Sequence, residues 1–327
     1  MFLPGWFLIT SFLVSFFGTW FTVVLIKPLL LQSKLTGSDL HKPENPEIAE
    51  MGGLGIVVGI SAGFVLAIGA YAFLRIDLDV IGLLAVLATI LIIAFIGVFD
   101  DLLQISQLVK AFSPALAALP LMAIRAGTEM LKIPLFGTID FGIYYPLVLV
   151  PLGITGAANA VNMLAGFNGM EAGVGLVAAI SLAIVGWLTG SWTAFLMLLV
   201  LSGSLLAMLW FNWYPSSILI GDVGTLTLGA LLASAVIIGN FETAGVVIII
   251  PYFIDFLFKA ASGFPTEDWA GEIDDDDGKL YCPRKYPVSL PQFVMKVVGG
   301  IKERNLTLTM MGMEALVGFF AVYLYVV

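Results

Sequence analysis

Long uncharged runs alternate along the chain with short polar stretches, and the length of the runs decides what they are. About 20 consecutive apolar residues are needed for a helix to cross the hydrocarbon core of a bilayer. On that ruler residues 3–26, 52–74 and 80–99 each predict one membrane helix, and a shorter run at 111–124 predicts a fourth. Residues 141–165 form a fifth. The uncharged block 172–221 is too long for one span. It breaks at Thr189-Gly190-Ser191 and again at Tyr214-Pro215, giving two helices and the start of a third that runs to about residue 239. Runs at 243–261 and 305–327 bring the expected count to ten. The fold class that follows is an all-α integral membrane protein with about ten transmembrane helices. It would be a single polytopic domain over 1–327, with a first cytoplasmic loop at 27–51 and a long last one at 262–304. The first run lacks a basic start and a small-residue cleavage site and ends at Lys27-Pro28, so it reads as an uncleaved span.

Charge orients this frame. With an even number of spans and both termini outside, one set of loops carries Lys27, Lys34, Lys42, Lys110, Lys259, Lys279, Arg284, Lys285, Lys296, Lys302 and Arg304. The opposite set carries Arg75, Arg125 and Lys132. The positive-inside rule places the richer set in the cytoplasm. Composition agrees with a bilayer protein: 60% of residues are hydrophobic and 11% charged, against about a quarter charged in soluble domains. The net charge of −9 gathers in one late loop, and no basic face exists for nucleic acid. One cysteine, Cys282, excludes an internal disulfide.

The candidate chemistry falls on the cytoplasmic side. Asp100 and Asp101 close the third apolar run, and Lys110 follows ten residues after the first, too far for a local helical pair. Paired carboxylates hold a metal or take a proton, and the plainer alternative is two acids capping a helix end. Glu50 precedes Gly52-Gly53, in a loop that Pro43 and Pro46 keep from being one helix; a solvated turn is its plainer reading. Asn159 and Asn162 share a helix face in GAANAVNMLAGFNGMEAG, followed by Asn168 and Glu171. Amides in hydrocarbon often bind helices together, while their oxygens also suit Mg²⁺, uracil edges or sugar hydroxyls. Asp222 is a single acid in an uncharged helix with no basic residue near it in sequence, so a metal ion is its simplest counter-charge. Arg284 and Lys285, between Pro283 and Pro287, suit a diphosphate. The acidic stretch 267–277 reads as a solvated, mobile run without a catalytic role, and Asn305-Leu306-Thr307 as a chance sequon. A transporter would show polar groups near the midplane and related halves. Here the polar groups gather at one face without an internal repeat, which favours an enzyme at the membrane surface.

Seven stretches, in order, carry a resemblance: TGSDLHK, IAEMGG, FDDLLQISQLVK, NAVNMLAGFNGMEAG, NWYPSSILIGD, CPRK and IKERNLTL. Together they resemble the polyprenyl-phosphate N-acetylhexosamine-1-phosphate transferase family over nearly the whole chain. The similarity is to its dolichyl-phosphate GlcNAc-1-phosphate transferase branch. Bacterial relatives carry a histidine-rich motif in the last loop; this chain has one histidine, His41, and CPRK stands in that place. Within the branch, Lys285 and Tyr286 replace more basic or histidine-containing versions.

The resemblance implies transfer of GlcNAc-1-phosphate from a UDP-GlcNAc donor to a polyprenyl (dolichyl) phosphate acceptor, releasing UMP, as the first step of lipid-linked oligosaccharide assembly for N-glycosylation. Another UDP-N-acetylhexosamine or an undecaprenyl acceptor is the alternative, and a transporter or flippase the competing class. It implies Mg²⁺, with Mn²⁺ as a substitute, held by Asp222 and Asn162. Lys110 and Arg284 would stabilise phosphates, and Asp100 and Asp101 would orient Lys110 and the acceptor phosphate or take its last proton. Asn168 and Glu171 would sit near the uridine, and Glu50 would support the lysine. Asn159, Lys285, Asp39 and Leu40 would be further substrate contacts. Membrane lipid is the surrounding partner, a homodimer is left open, and an archaeal-type plasma membrane is the expected location.

Overall fold

The computed structural model describes residues 3–42, 45–103, 105–133, 137–265, 269–274 and 276–326. In chain order the elements are α1 (Gly5–Gln32), a hairpin of β1 (Thr36–Ser38) and β2 (Glu47–Ala49), α2 (Gly53–Leu74) and α3 (Val80–Leu103). Three short helices follow, α4 (Gln107–Phe112), α5 (Pro114–Ala117) and α6 (Leu119–Ala123), and then a hairpin of β3 (Met130–Ile133) and β4 (Gly137–Asp140). A π-helical turn, Tyr145–Leu149, runs into α7 (Val150–Met163). The long helices α8 (Met170–Leu188), α9 (Trp192–Asn212) and α10 (Gly221–Gly239) come next, then α11 (Glu242–Ile248) and α12 (Ile250–Ala261). A last hairpin, β5 (Glu272–Ile273) with β6 (Leu280–Tyr281), precedes α13 (Leu290–Val298) and α14 (Glu303–Tyr323).

Among the described residues eight helices are long and apolar enough to cross a membrane, and nine spans result if α11 and α12 count as one. The fold is mostly helical, and many large apolar side chains face outward, such as Phe73, Phe112, Trp210 and Leu316. In water such a surface would aggregate; against lipid tails it costs nothing.

Two of the apolar runs are not straight helices. The run at 111–124 is interrupted at Pro114 and Pro120 into the short helices α4–α6, within an apolar stretch, Gln107–Ala123, that is shorter than the other spans. A proline supplies no N–H and clashes with the preceding turn, which hydropathy alone does not register. The run at 243–261 is bent by 52° between α11 and α12, with Pro251 just past the break. Helix α1 continues through Pro28 to Gln32, so the first residues of the expected first loop are helical. In the acidic stretch, residues 267, 268 and 275 lie outside the described residues. The rest joins the β5–β6 hairpin, where Asp277 pairs with Lys279 at 2.7 Å.

Helix α10 is the centre of the bundle, packed on α2, α3, α7 and α9. Its N-terminus admits no extra atoms. A Cβ on Gly53 would lie 2.2 Å from the Gly224 nitrogen, and one on Gly97 would lie 2.4 Å from the Val223 Cα. Small residues let α2, α3 and α10 touch backbone to backbone. The first loop is stitched to the same point: Leu219 N–H donates to the Ala49 carbonyl at 2.8 Å, and Gly52 N–H to the Leu219 carbonyl at 2.8 Å.

Candidate active site

The convergence of α2, α3 and α10 decides where the acids meet. Gly221 takes φ +73° at the entry to α10, a conformation glycine adopts without strain, and a Cβ there would press on Asp101. The turn aims the first amides of α10 at the end of α3. Asp101 accepts the Asp222 N–H at 2.7 Å and the Val223 N–H at 3.1 Å, one on each carboxylate oxygen. An acceptor at a helix N-terminus satisfies otherwise orphaned donors and opposes the positive end of the dipole. Asp101 therefore holds Asp222 in place.

Asp100, the neighbouring acid, is buried and faces the lysine. Lys110 Nζ lies 2.6 Å from Asp100 Oδ2 and 2.5 Å from Asp222 Oδ2, so one ammonium joins α3 to α10, with Lys110 and Asp222 112 residues apart in sequence. Burial works against the Lys110 charge, but Asp222 and Asp100 outweigh it and hold its pKa above the usual lysine value. It is cationic at neutral pH. The Asn162 side chain is within hydrogen-bonding reach of the Asp222 carboxylate. Asn159, one turn earlier on α7, donates its amide to the carbonyls of Ala111 at 3.0 Å and Thr155 at 2.9 Å. It thereby tethers the short helix that presents Lys110. Glu50 stands in the field of Asp222, and burial first, then that negative charge, push its carboxyl above the ordinary range.

Glu50, Asp100, Asp101, Lys110, Asn162 and Asp222 thus form one cluster. Asp100 and Asp222 pair with the one ammonium, Glu50 lies in its field, Asp101 caps α10, and the other donors are oxygens or amides. Oxygen donors of this kind suit a hard cation.

A second cluster holds other candidates. Asp39 is buried, accepting from Asn168 Nδ2 at 3.2 Å and lying 3.4 Å from Lys42 Nζ. Lys42 reaches Glu303 at 2.5 Å and stands 4.2 Å over the Tyr214 ring. Asn168 also accepts the Ser216 N–H at 2.7 Å, and its own N–H donates to Glu303 at 2.7 Å. His41 stacks on Phe167 at 4.3 Å, and its Nε2 accepts the Gly271 N–H at 3.3 Å. Asp39, His41 and Glu303 have the spacing of metal ligands. Lys42 already supplies a cation there, and Nε2 acting as acceptor puts the imidazole proton on Nδ1, towards Glu303. Burial pushes the His41 pKa down to about 4, so the ring is neutral. This is a structural knot joining the first loop, the α7–α8 turn and α14.

The remaining candidates lie apart from both clusters' ion pairs. Glu171 accepts the Gly166 N–H at 2.7 Å and shapes the turn before α8. Leu40 is half-exposed beside the knot. Arg284 and Lys285 stand in an exposed turn, with the Lys285 ammonium 5.6 Å from the Tyr286 ring centre. Sequence reasoning gave Glu303 and Lys42 no role; an acid opening α14 inside IKERNLTL was the available signal.

Residues 83–240, from α3 through α10, match the family model described as glycosyl transferase family 4. A Saccharolobus solfataricus protein, provisionally named as a UDP-N-acetylglucosamine–dolichyl-phosphate N-acetylglucosaminephosphotransferase, is 37% identical over 95% of this chain and 95% of its own. The chain belongs to glycosyl transferase family 4. A Sulfolobus acidocaldarius protein with the same provisional name is 35% identical over 96% of this chain and 94% of its own. The Dictyostelium discoideum UDP-N-acetylglucosamine–dolichyl-phosphate N-acetylglucosaminephosphotransferase is 26% identical over 96% and 88%. The family 4 match encloses Asp100, Asp101, Lys110, Asn162 and Asp222, leaving Glu50 and the last loop outside it.

Proposed function

We propose that this family 4 protein transfers N-acetylglucosamine-1-phosphate from UDP-GlcNAc to a dolichyl-type polyprenyl phosphate, giving polyprenyl-diphospho-GlcNAc and UMP. The observation that carries the reading is Lys110 held between Asp100 and Asp222 beside Asn162, in a chain whose full-length relatives are named for this reaction.

In the reaction an oxygen of the acceptor phosphate attacks the β-phosphorus of the donor. The bond from that phosphorus to the bridging oxygen breaks, and the oxygen leaves on UMP. The difficulty is electrostatic, because an anion attacks an anion, and catalysis is positioning with charge stabilisation. Asp222 and Asn162, with Asp100 adjacent, are the groups that would hold Mg²⁺, which when bound neutralises diphosphate oxygens. Lys110 binds the phosphate at which charge moves, and Asp100 and Asp222 keep its ammonium aimed. Both oxygens of Asp101 are engaged by backbone N–H groups, so Asp101 fixes geometry rather than moving a proton. No obligatory base is needed, since a phosphate monoester loses its second proton near pH 6. Arg284 and Lys285 bind the donor from the last loop, and Leu40 borders the nucleoside. The site works at the cytoplasmic face of an archaeal-type plasma membrane, as the lysine and arginine asymmetry supports.

The test is UMP release and sugar-phosphate transfer across a panel of UDP-sugars with dolichyl and undecaprenyl phosphates. UDP-GlcNAc with a dolichyl acceptor is expected to lead. Asp222→Asn should lower turnover on the order of a hundredfold and weaken its Mg²⁺ dependence. Near-normal Mg²⁺-dependent release by that variant would remove Asp222 from the metal site.

A further inference from the structure

Helix α12 carries one acid and one lysine, Asp255 and Lys259, and the roles above use neither. Asp255 is fully buried and Lys259 nearly so, one turn apart on α12, with Nζ 2.9 Å from Asp255 Oδ2. Charges within an apolar span are costly and persist where they pair with each other or with backbone. This pair does both. Lys259 Nζ donates to the carbonyl of Met163, the last residue of α7 and the one after Asn162. A cation at a helix C-terminus satisfies an orphaned carbonyl and favours the dipole. Asp255 Oδ1 accepts the Leu290 N–H at 2.8 Å, in the first turn of α13. From there Gln292 accepts the Val288 N–H at 3.0 Å, and the Cys282 thiol lies 3.9 Å from its Oε1. Phe258 of α12 also packs on Phe293 of α13 with ring centres 5.7 Å apart. One ion pair therefore touches both the end of α7 that carries Asn162 and the root of the turn that carries Arg284 and Lys285.

We propose that Asp255 and Lys259 are positioning residues that lock α12, the C-terminus of α7 and the last loop into one register, so that Asn162 and the Cys282–Lys285 turn stay aligned for transfer. The effect on turnover rests on the reaction assigned above; the coupling itself does not. Misplacing a group by about 1 Å costs up to about a hundredfold in rate. A loosened register should thus appear in kcat.

Cys282 is the only cysteine in the sequence and sits in the coupled turn, so its labelling reports the coupling without any substrate. The experiment compares the purified full chain with the double variant Asp255→Asn/Lys259→Met. That variant removes both charges together and keeps an oxygen for the Leu290 N–H. Maleimide labelling of Cys282 should accelerate about fivefold or more as the turn opens more often. The kcat for UMP release should fall on the order of tenfold while thermal stability changes little. Lys259→Arg, which keeps charge and donor, should restore both towards wild type. If the double variant does not fold, Lys259→Gln keeps an N–H for Met163 without the charge, and raised labelling there supports the coupling. Unchanged labelling in whichever variant folds overturns the proposal. Faster labelling with unchanged kcat overturns the positioning role. A wild-type protein that releases no UMP from UDP-GlcNAc overturns the assigned reaction instead, while the labelling result still decides the coupling.

Discussion

The two charged clusters are built from the same kinds of residue and differ in what they leave open. In the knot of Asp39, His41, Lys42, Asn168 and Glu303, Lys42 answers two carboxylates, the imidazole is neutral, and the side-chain bonds are spent within the protein. Its carboxylates are almost fully enclosed, with 4% and 2% side-chain exposure. In the Lys110 cluster, Lys110 and Asp222 keep 23% and 22% exposure, and Glu50 stands beside the pairs that Asp100 and Asp222 make with the ammonium. An enclosed network whose one ammonium pairs with both carboxylates holds parts together. A partly open one leaves its oxygens within reach of a cation and its phosphates.

Four substitutions or conditions test that contrast, starting from the largest effect. Lys110→Ala should cut UMP release on the order of a thousandfold, as loss of a charge-stabilising donor does, in protein that still elutes as folded from size exclusion. Unchanged turnover would move catalysis away from this cluster. Glu303→Gln should do the reverse: about 4 kcal/mol less stability, as when one partner of a buried ion pair is removed, read as a lower Tm or yield, with turnover per folded molecule within a few-fold. A stable variant with lost turnover would make the knot part of the site.

The third is a pH effect on stability in wild type. The His41 pKa lies near 4 in the folded chain, below its unfolded value, so only the unfolded state takes up the proton between pH 6.5 and 4. Stability should be flat above pH 6.5 and decline below it, by up to about 3 kcal/mol from this residue. His41→Phe, compared by Tm across that range, should flatten that part of the slope. The smallest effect is expected for Asn159→Ala, which frees the Ala111 carbonyl and loosens the helix presenting Lys110. Turnover should drop about tenfold with donor KM little changed. A rise in KM alone would make Asn159 a substrate contact instead.

Most of the frame is legible from hydropathy, because hydrocarbon demands apolar runs of nearly constant length. Where the helices are interrupted, at 111–124 and 243–261, the cause is backbone rather than polarity. Pro114, Pro120 and Pro251 interrupt helices without making them less apolar. The acids and amides of the Lys110 cluster were also visible, since Asp100, Asp101, Asn162 and Asp222 stand out in uncharged surroundings. Their division of labour was not. Asp101 looks identical to Asp100 in sequence, yet one caps α10 and the other pairs with Lys110.

A charge at the end of an apolar run, such as Glu303 or Lys259, is ordinarily solvated. Only packing shows that these two are enclosed. Local sequence thus determined the apolar, helical frame and the inventory of reactive groups, because those depend on residue type and spacing. Tertiary structure alone decided which groups meet. The partners lie 112 residues apart for Lys110 and Asp222 and 261 apart for Lys42 and Glu303, and contacts at such separations arise from how helices cross.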